Sequence, residues 1–293
     1  TACAMFWIPA MSEPILSVRD LNIRFHAAGR VTHAVRGVSF DIRNEKLAIV
    51  GESGSGKSQT GRALMRLSPP VARVTADRLD FRGKNLLASS ERDMRRIRGK
   101  DIAMILQDPK FSLNPLVRVG RQIAEAYRTH HRTSRREARQ KALDMLESVH
   151  IRDPERVYDL LPHEVSGGMG QRVMIAMMLI SEPRMIIADE PTSALDVTVR
   201  RQVLSILDEL VTRTGASLIF ISHDLNLVAD FCDRVLVMYA GRVVEEIAAC
   251  DLGQARHPYT QGLLNSLPRL DAPVEELAVP ERRPEWLEGP TIA

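Results

Sequence analysis

One octapeptide constrains this chain more than any other feature. Gly51-Glu52-Ser53-Gly54-Ser55-Gly56-Lys57-Ser58 follows an apolar run at 47–50 and leads into a helical pattern at 57–67. That context suits a loop built to wrap an anion. Glycines let the backbone curl so that successive N–H groups face inward, and the following helix adds its positive N-terminal end. Lys57 supplies a cation for the β and γ phosphates of a nucleotide, and the Ser58 hydroxyl can sit on Mg²⁺. Gly51 to Ser58, with the adjoining Gln59, are therefore the expected nucleotide contacts. The second requirement of such a site is a carboxylate at the end of a neighbouring strand. The run at 185–188 ends in Asp189-Glu190. Asp189 is placed to hold the metal, and Glu190 to face the γ-phosphate and polarise a water. Strand C-terminal ends are where open α/β sheets bind ligands.

The rest of the chain supports that architecture. Short β-branched runs at 15–19, 38–42, 47–50, 102–106, 185–188, 218–221 and 235–239 alternate with helical patterns at 57–67, 134–149, 168–180 and 196–212, which predicts an α/β domain with a largely parallel sheet. Helical patterns without a strand candidate between about 120 and 162 read as an insertion riding on the sheet. Strand signals stop after Glu246, and prolines punctuate the tail, leaving one short helix expected near 260–267. At 44% hydrophobic and 26% charged, with a formal net charge of +3, the composition excludes disordered and collagen-like chains and carries no nucleic-acid argument by itself. Cys3, Cys232 and Cys250 are too few and scattered for a disulfide framework or a zinc site. The longest apolar stretch, 173–180, falls short of the roughly 18 residues of a spanning helix. The start, 1–9, lacks the basic flank of a secretory signal. Met11 reads as a natural start after an upstream extension, with a docked hydrophobic arm as the alternative.

Between the two phosphate-handling motifs lies Val165-Ser166-Gly167-Gly168-Met169-Gly170-Gln171-Arg172, which exposes backbone N–H groups behind a serine cap at the start of an apolar helix. Here the chain resembles the ATP-binding subunits of ABC transporters, over about 15–268. Val165 and Gly170 are departures from that family's signature. The resemblance implies a P-loop NTPase of ABC type, with a mainly parallel sheet core, an antiparallel β portion and a helical subdomain at about 120–180. It divides the chain into an extension at 1–12, the ATPase domain at 13–268 and a tail at 269–293. It further implies roles for other residues. Gln107 resembles the glutamine whose side chain reaches the metal and attacking water, Asp196 lies in a loop linking two subunits, and His223 resembles the histidine that contacts the γ-phosphate. Phe25 occupies the approximate place of the aromatic that stacks on adenine, with a core role as the alternative. In such a pair, ATP at Lys57 of one subunit is closed by Ser166, Gly167, Gly168 and Met169 of the other.

Gln107-Asp108-Pro109, Ser112-Leu113-Asn114-Pro115 and His257-Pro258-Tyr259-Thr260-Gln261-Gly262 resemble the oligopeptide, dipeptide and nickel importer branch. The resemblance therefore implies ATP and Mg²⁺ as ligands, and a second ABC ATPase, identical or a sister chain, as partner. It also implies two transmembrane permease subunits, an extracytoplasmic solute-binding protein acting indirectly, and a peripheral place on the cytoplasmic face of the inner membrane. The tail lacks a cysteine cluster, so no iron–sulfur centre is expected. A soluble ABC-type ATPase acting on nucleic acid or the ribosome is the competing reading. It would use the arginine-rich stretches 92–98 and 132–139, which the transporter reading treats as solvated helix faces.

Overall fold

A computed structural model of the chain describes residues 13–27, 29–193, 195–266 and Trp286. The expected extension at 1–12 and, Trp286 apart, the tail at 269–293 lie outside the described residues. Along the chain, β1 (Leu16–Ala27), β2 (Arg30–Ile42) and β3 (Lys46–Val50) precede α1 (Lys57–Leu64). Three short strands follow, β4 (Ala72–Thr75), β5 (Arg78–Phe81) and β6 (Lys84–Asn85). Next come α2 (Glu91–Ile97), β7 (Ile102–Ile105), α3 (Pro109–Ser112), α4 (Val119–His130), α5 (Arg135–Ser148), α6 (Pro154–Tyr158) and α7 (Gly167–Leu179). The remaining elements are β8 (Met185–Asp189), α8 (Val197–Thr214), β9 (Ser217–Ser222), α9 (Leu225–Phe231), β10 (Arg234–Tyr239), β11 (Arg242–Ala248) and α10 (Pro258–Asn265).

The chain divides into two compact units, 1–89 with 219–293, and 90–218. In the first, β1 runs antiparallel to β2, β4 and β5, and β5 to β6. Leu16 faces Ile42 and Ile23 faces Val35 in register, and all four side chains are fully buried. The same unit contains β3 parallel to β10, β10 antiparallel to β11, and β9 beside β3. The Arg234 guanidinium grips the buried Glu45 carboxylate at 2.8 and 3.0 Å and also bonds Glu246, joining the starts of β3 and β10 to β11. Burial opposes the Arg234 charge, but the paired carboxylates outweigh it and hold the group above its ordinary range.

In the second unit β7 and β8 are parallel, with Ile102 opposite Met185 and Ile105 opposite Ala188. Every residue of both strands is buried, as their unbroken apolar runs require of strands covered on both faces. The expected helical insertion is present as α4, α5 and α6, packed on one another and, for α4 and α5, against α7. Ser134 caps α5, Ser166 caps α7 and Asp196 caps α8, each by accepting backbone N–H bonds that the first helical turn cannot satisfy internally. Among the described residues, no helix is long and apolar enough to cross a membrane. In the arginine-rich stretch at 92–98, Arg92, Arg95 and Arg96 are exposed while Met94 and Ile97 are buried; Arg95 and Arg98 meet Glu91, and Arg96 meets Asp93.

The boundaries differ from expectation at instructive places. Helix α1 stops at Leu64, where Arg66 turns to φ 50°, rather than at 67. Strand β11 continues to Ala248, past Glu246, because it pairs with β10 along its whole length, Ala248 lying opposite Arg234.

Candidate nucleotide site

In the first unit β3 delivers the chain into the glycine-rich loop. Gly51 and Gly56 adopt φ values of 147° and 100°. A Cβ on Gly51 would lie 2.1 Å from the Met238 carbonyl oxygen, and one on Gly56 would lie 2.6 Å from that of Ala34, so no side chain fits at either position. Lys57 is buried at the start of α1, and its ammonium donates to the carbonyls of Gly51 at 2.8 Å and Glu52 at 2.9 Å, so the cation is held at the loop. Ser55 Oγ and Gln59 Oε1 are shielded from solvent and have no hydrogen-bond partner among the described residues. A curled loop with a buried ammonium and an orphaned hydroxyl has the donor chemistry of a phosphate cradle. Ser58 is the second residue of α1 in the first unit, and Asp189 ends β8 in the second. Among the described residues no three His, Cys, Asp or Glu side chains cluster as a metal cage. A hydroxyl and a carboxylate are each donors of the kind that Mg²⁺ accepts alongside phosphates and retained waters.

Tyr259 is a residue of this site whose role the sequence did not indicate. Buried in α10, it accepts the Glu52 N–H at 3.1 Å on its hydroxyl, and with Tyr239 and 52–55 it lines a cavity of about 210 Å³. Helix α10 is set by Pro258 in its first turn and by His257, whose Nδ1 accepts the Tyr259 N–H at 3.2 Å. Trp286 stands against the rings of His257, Tyr239 and Tyr259 at 5.5–6.0 Å between centroids. Burial pushes the His257 imidazole below its ordinary pKa, with Glu245 opposing. Because the neutral ring is the favoured form in the fold, its contribution is complete above the ordinary imidazole range and is lost as pH falls through the lowered folded value. Acidification is therefore expected to release α10 and shift Trp286 emission in a Trp7→Phe background. His257→Asn, which keeps a capping oxygen, should abolish that pH dependence. An identical acid transition in the variant would show that His257 is not its source.

His223 is exposed directly after β9, where Asp224 caps α9. Phe25 is half-buried on β1, opposite Thr32 and Ala72.

In the second unit Asp189 is buried, at 5% exposure, and Glu190 follows at φ 47°, a left-handed conformation that costs a branched or long side chain energy and re-aims it. The buried Gln171 amide on α7 donates to the Pro191 carbonyl, tying the signature helix to the turn after this carboxylate pair. Sequence patterning gives no sign of that bond. Ser166 Oγ accepts the Met169 N–H, and Gly167 opens α7 with no atom within 4 Å of where a Cβ would stand. Gly168 instead approaches Val199 of α8, whose Cγ1 would lie 2.7 Å from a Cβ. Asp196 Oδ1 accepts the N–H groups of Thr198 and Val199, both at 3.0 Å, beside Val197, which is 64% exposed. Gln107 is exposed past the end of β7. Beyond it, the Gln122 amide clamps a turn by accepting from the Asn114 N–H at 2.8 Å and donating to the carbonyls of Asn114 and Val117. That turn presents Leu116 at 87% exposure.

A strand, glycine loop and helix in one unit, and an acidic strand end with a serine-capped glycine helix in the other, are the parts of a P-loop ATPase. The ABC transporter family model matches residues 35–193. The probable peptide ABC transporter ATP-binding protein y4tR of Sinorhizobium fredii is 52% identical over 88% of this chain and 78% of its own length. The dipeptide transport ATP-binding protein DppD of Bacillus subtilis is 48% identical over 95% of this chain and 84% of its own. Among solved structures, the ATP-binding cassette MJ0796, a dimer in a post-hydrolysis state with ADP and Pi, superposes with a TM-score of 0.72 and 26% identity, covering 80% of this chain and 98% of that one. This chain belongs to the ABC transporter ATP-binding family, and it is an ATPase of that family.

Proposed function

We propose that the chain is the ATP-hydrolysing subunit of an importer for dipeptides or oligopeptides, acting at the cytoplasmic face of the membrane. The observation that carries the substrate class is 48% identity, over nearly the full chain, to a dipeptide transport subunit. ATP is held by Gly51–Gln59, with Phe25 against the adenine. Ser58, Asp189 and Gln107 would hold Mg²⁺, which when bound neutralises charge on the β and γ phosphates. Glu190 orients and polarises the attacking water, while His223 and Gln107 hold the reacting groups. The 166–169 segment closes over the nucleotide of a second ATPase subunit, and Asp196 with the exposed Val197 lies on the surface that joins the pair. Hydrolysis reopens the pair, and two permease subunits fed by an extracytoplasmic binding protein convert that cycle into transport.

The exposed Leu116, on a turn fixed by Gln122, supports assigning the 107–117 surface to the permeases. In vesicles containing the permeases and binding protein, wild type should take up a radiolabelled dipeptide at the expense of ATP. Leu116→Asp should keep the basal ATPase of the free subunit and lose about tenfold or more of the peptide-stimulated rate. Unchanged stimulation in the variant would remove this surface from coupling, and absence of uptake by the intact wild-type assembly would refute the peptide assignment.

A further inference from the structure

The helical part of the second unit contains a cavity of about 600 Å³, bordered by Met169 at the end of the 166–169 segment. That size is typical of small-molecule sites. Arg152, Arg156 and Arg172 line it, and among the described residues none of these guanidiniums is in an ion pair. Arg172 is anchored by bonds to the His150 carbonyl at 3.1 Å and Gln202 Oε1 at 2.5 Å, yet its Nε, shielded from solvent, has no hydrogen-bond partner among the described residues. The two carboxylates on the wall are engaged with backbone instead. Asp153 caps α6 by accepting the Arg156 N–H, and Glu164 accepts the Leu161 N–H at 2.7 Å. Burial, and after it the Arg152 charge, push the Arg172 guanidinium below its ordinary range. The remaining wall is apolar, from Ile151, Val157, Leu160 and Met169.

We infer that this cavity is a binding site for a small organic carboxylate with an apolar body, its carboxylate taken by the Arg152, Arg156 and Arg172 guanidiniums and its body laid on the apolar wall. Guanidinium forks match carboxylates with paired hydrogen bonds, and Arg152 and Arg156 line the cavity from exposed positions with no ion pair among the described residues. A short peptide with a free C-terminus and a simple carboxylic acid share this chemistry. None of its lining residues belongs to the 51–59 loop, so the existence of the site does not depend on the transport assignment.

The test is calorimetric titration of the full chain with dileucine, with dileucine amide and with 4-phenylbutyrate. Dileucine is expected to bind and its amide to bind at least about tenfold more weakly, because the charge-assisted bonds are lost. Binding of phenylbutyrate as well would make the carboxylate and apolar body sufficient; binding of dileucine alone would identify the peptide form of the ligand. Arg152→Gln with Arg156→Gln, both at exposed positions, should weaken dileucine about tenfold while leaving ATP binding unchanged, which confirms the variant is folded. No binding by either carboxylate, equal binding of the amide, or unchanged affinity in the double variant would overturn the assignment.

Discussion

Glu190→Gln should bind ATP as wild type does and hydrolyse it at least about a hundredfold more slowly, the lower range for a positioned acid or base. The variant isolates chemistry from folding. Glutamine has the shape of glutamate and meets the same cost at φ 47°, so the turn after β8 persists, and the Gln171 bond to Pro191 does not involve the substituted group. Phosphate release and fluorescent-nucleotide binding measure the two properties separately, and near wild-type release would remove Glu190 from the proposed role. The same variant should trap the closed pair in Mg-ATP. Light scattering that reports closure by the chain alone would indicate two equivalent sites. Closure only with a sister ATPase would indicate a mixed pair.

The second large effect separates two adjacent glycines. Gly167 has open space where a Cβ would stand, so the Cβ of Gly167→Asp meets no atom within 4 Å, and a carboxylate in the first turn favours the α7 dipole. Thermal stability should hold or rise. Hydrolysis should nevertheless fall by about a hundredfold, because the new charge would oppose the phosphates of a nucleotide bound by the other subunit. Gly168→Ala behaves differently: its methyl meets Val199 at 2.7 Å, and displacing α8 should cost about 1–3 kcal/mol of stability. Full activity in a stable Gly167→Asp protein would show that this helix start faces no nucleotide.

The parts of the molecule that sequence made legible share a local cause. Strands β7 and β8 are unbroken apolar runs because both faces are covered, and the phosphate loop is visible because φ values such as those of Gly51 and Gly56 demand glycine. Strands β4 to β6 went unread because they are short and their side chains alternate or stay exposed, leaving no apolar run. Gln171, Gln122 and Tyr259 were equally silent as site residues. Each acts through a hydrogen bond to backbone elsewhere, at sequence separations of up to 207, and such bonds impose no periodicity on the residues around them.

The clamp on the 114–117 turn bears on how a motor finds its load. With both Gln122 amide atoms engaged, the turn that carries Leu116 is tied at Asn114 and Val117 within the subunit. If the proposed permease contact lies here, the partner would meet a pre-organised knob and be spared the ordering cost that a flexible loop would impose. Exchange of the apolar tip could retune which membrane subunit is recognised without disturbing the scaffold beneath it, so partner choice and catalytic architecture are free to diverge independently.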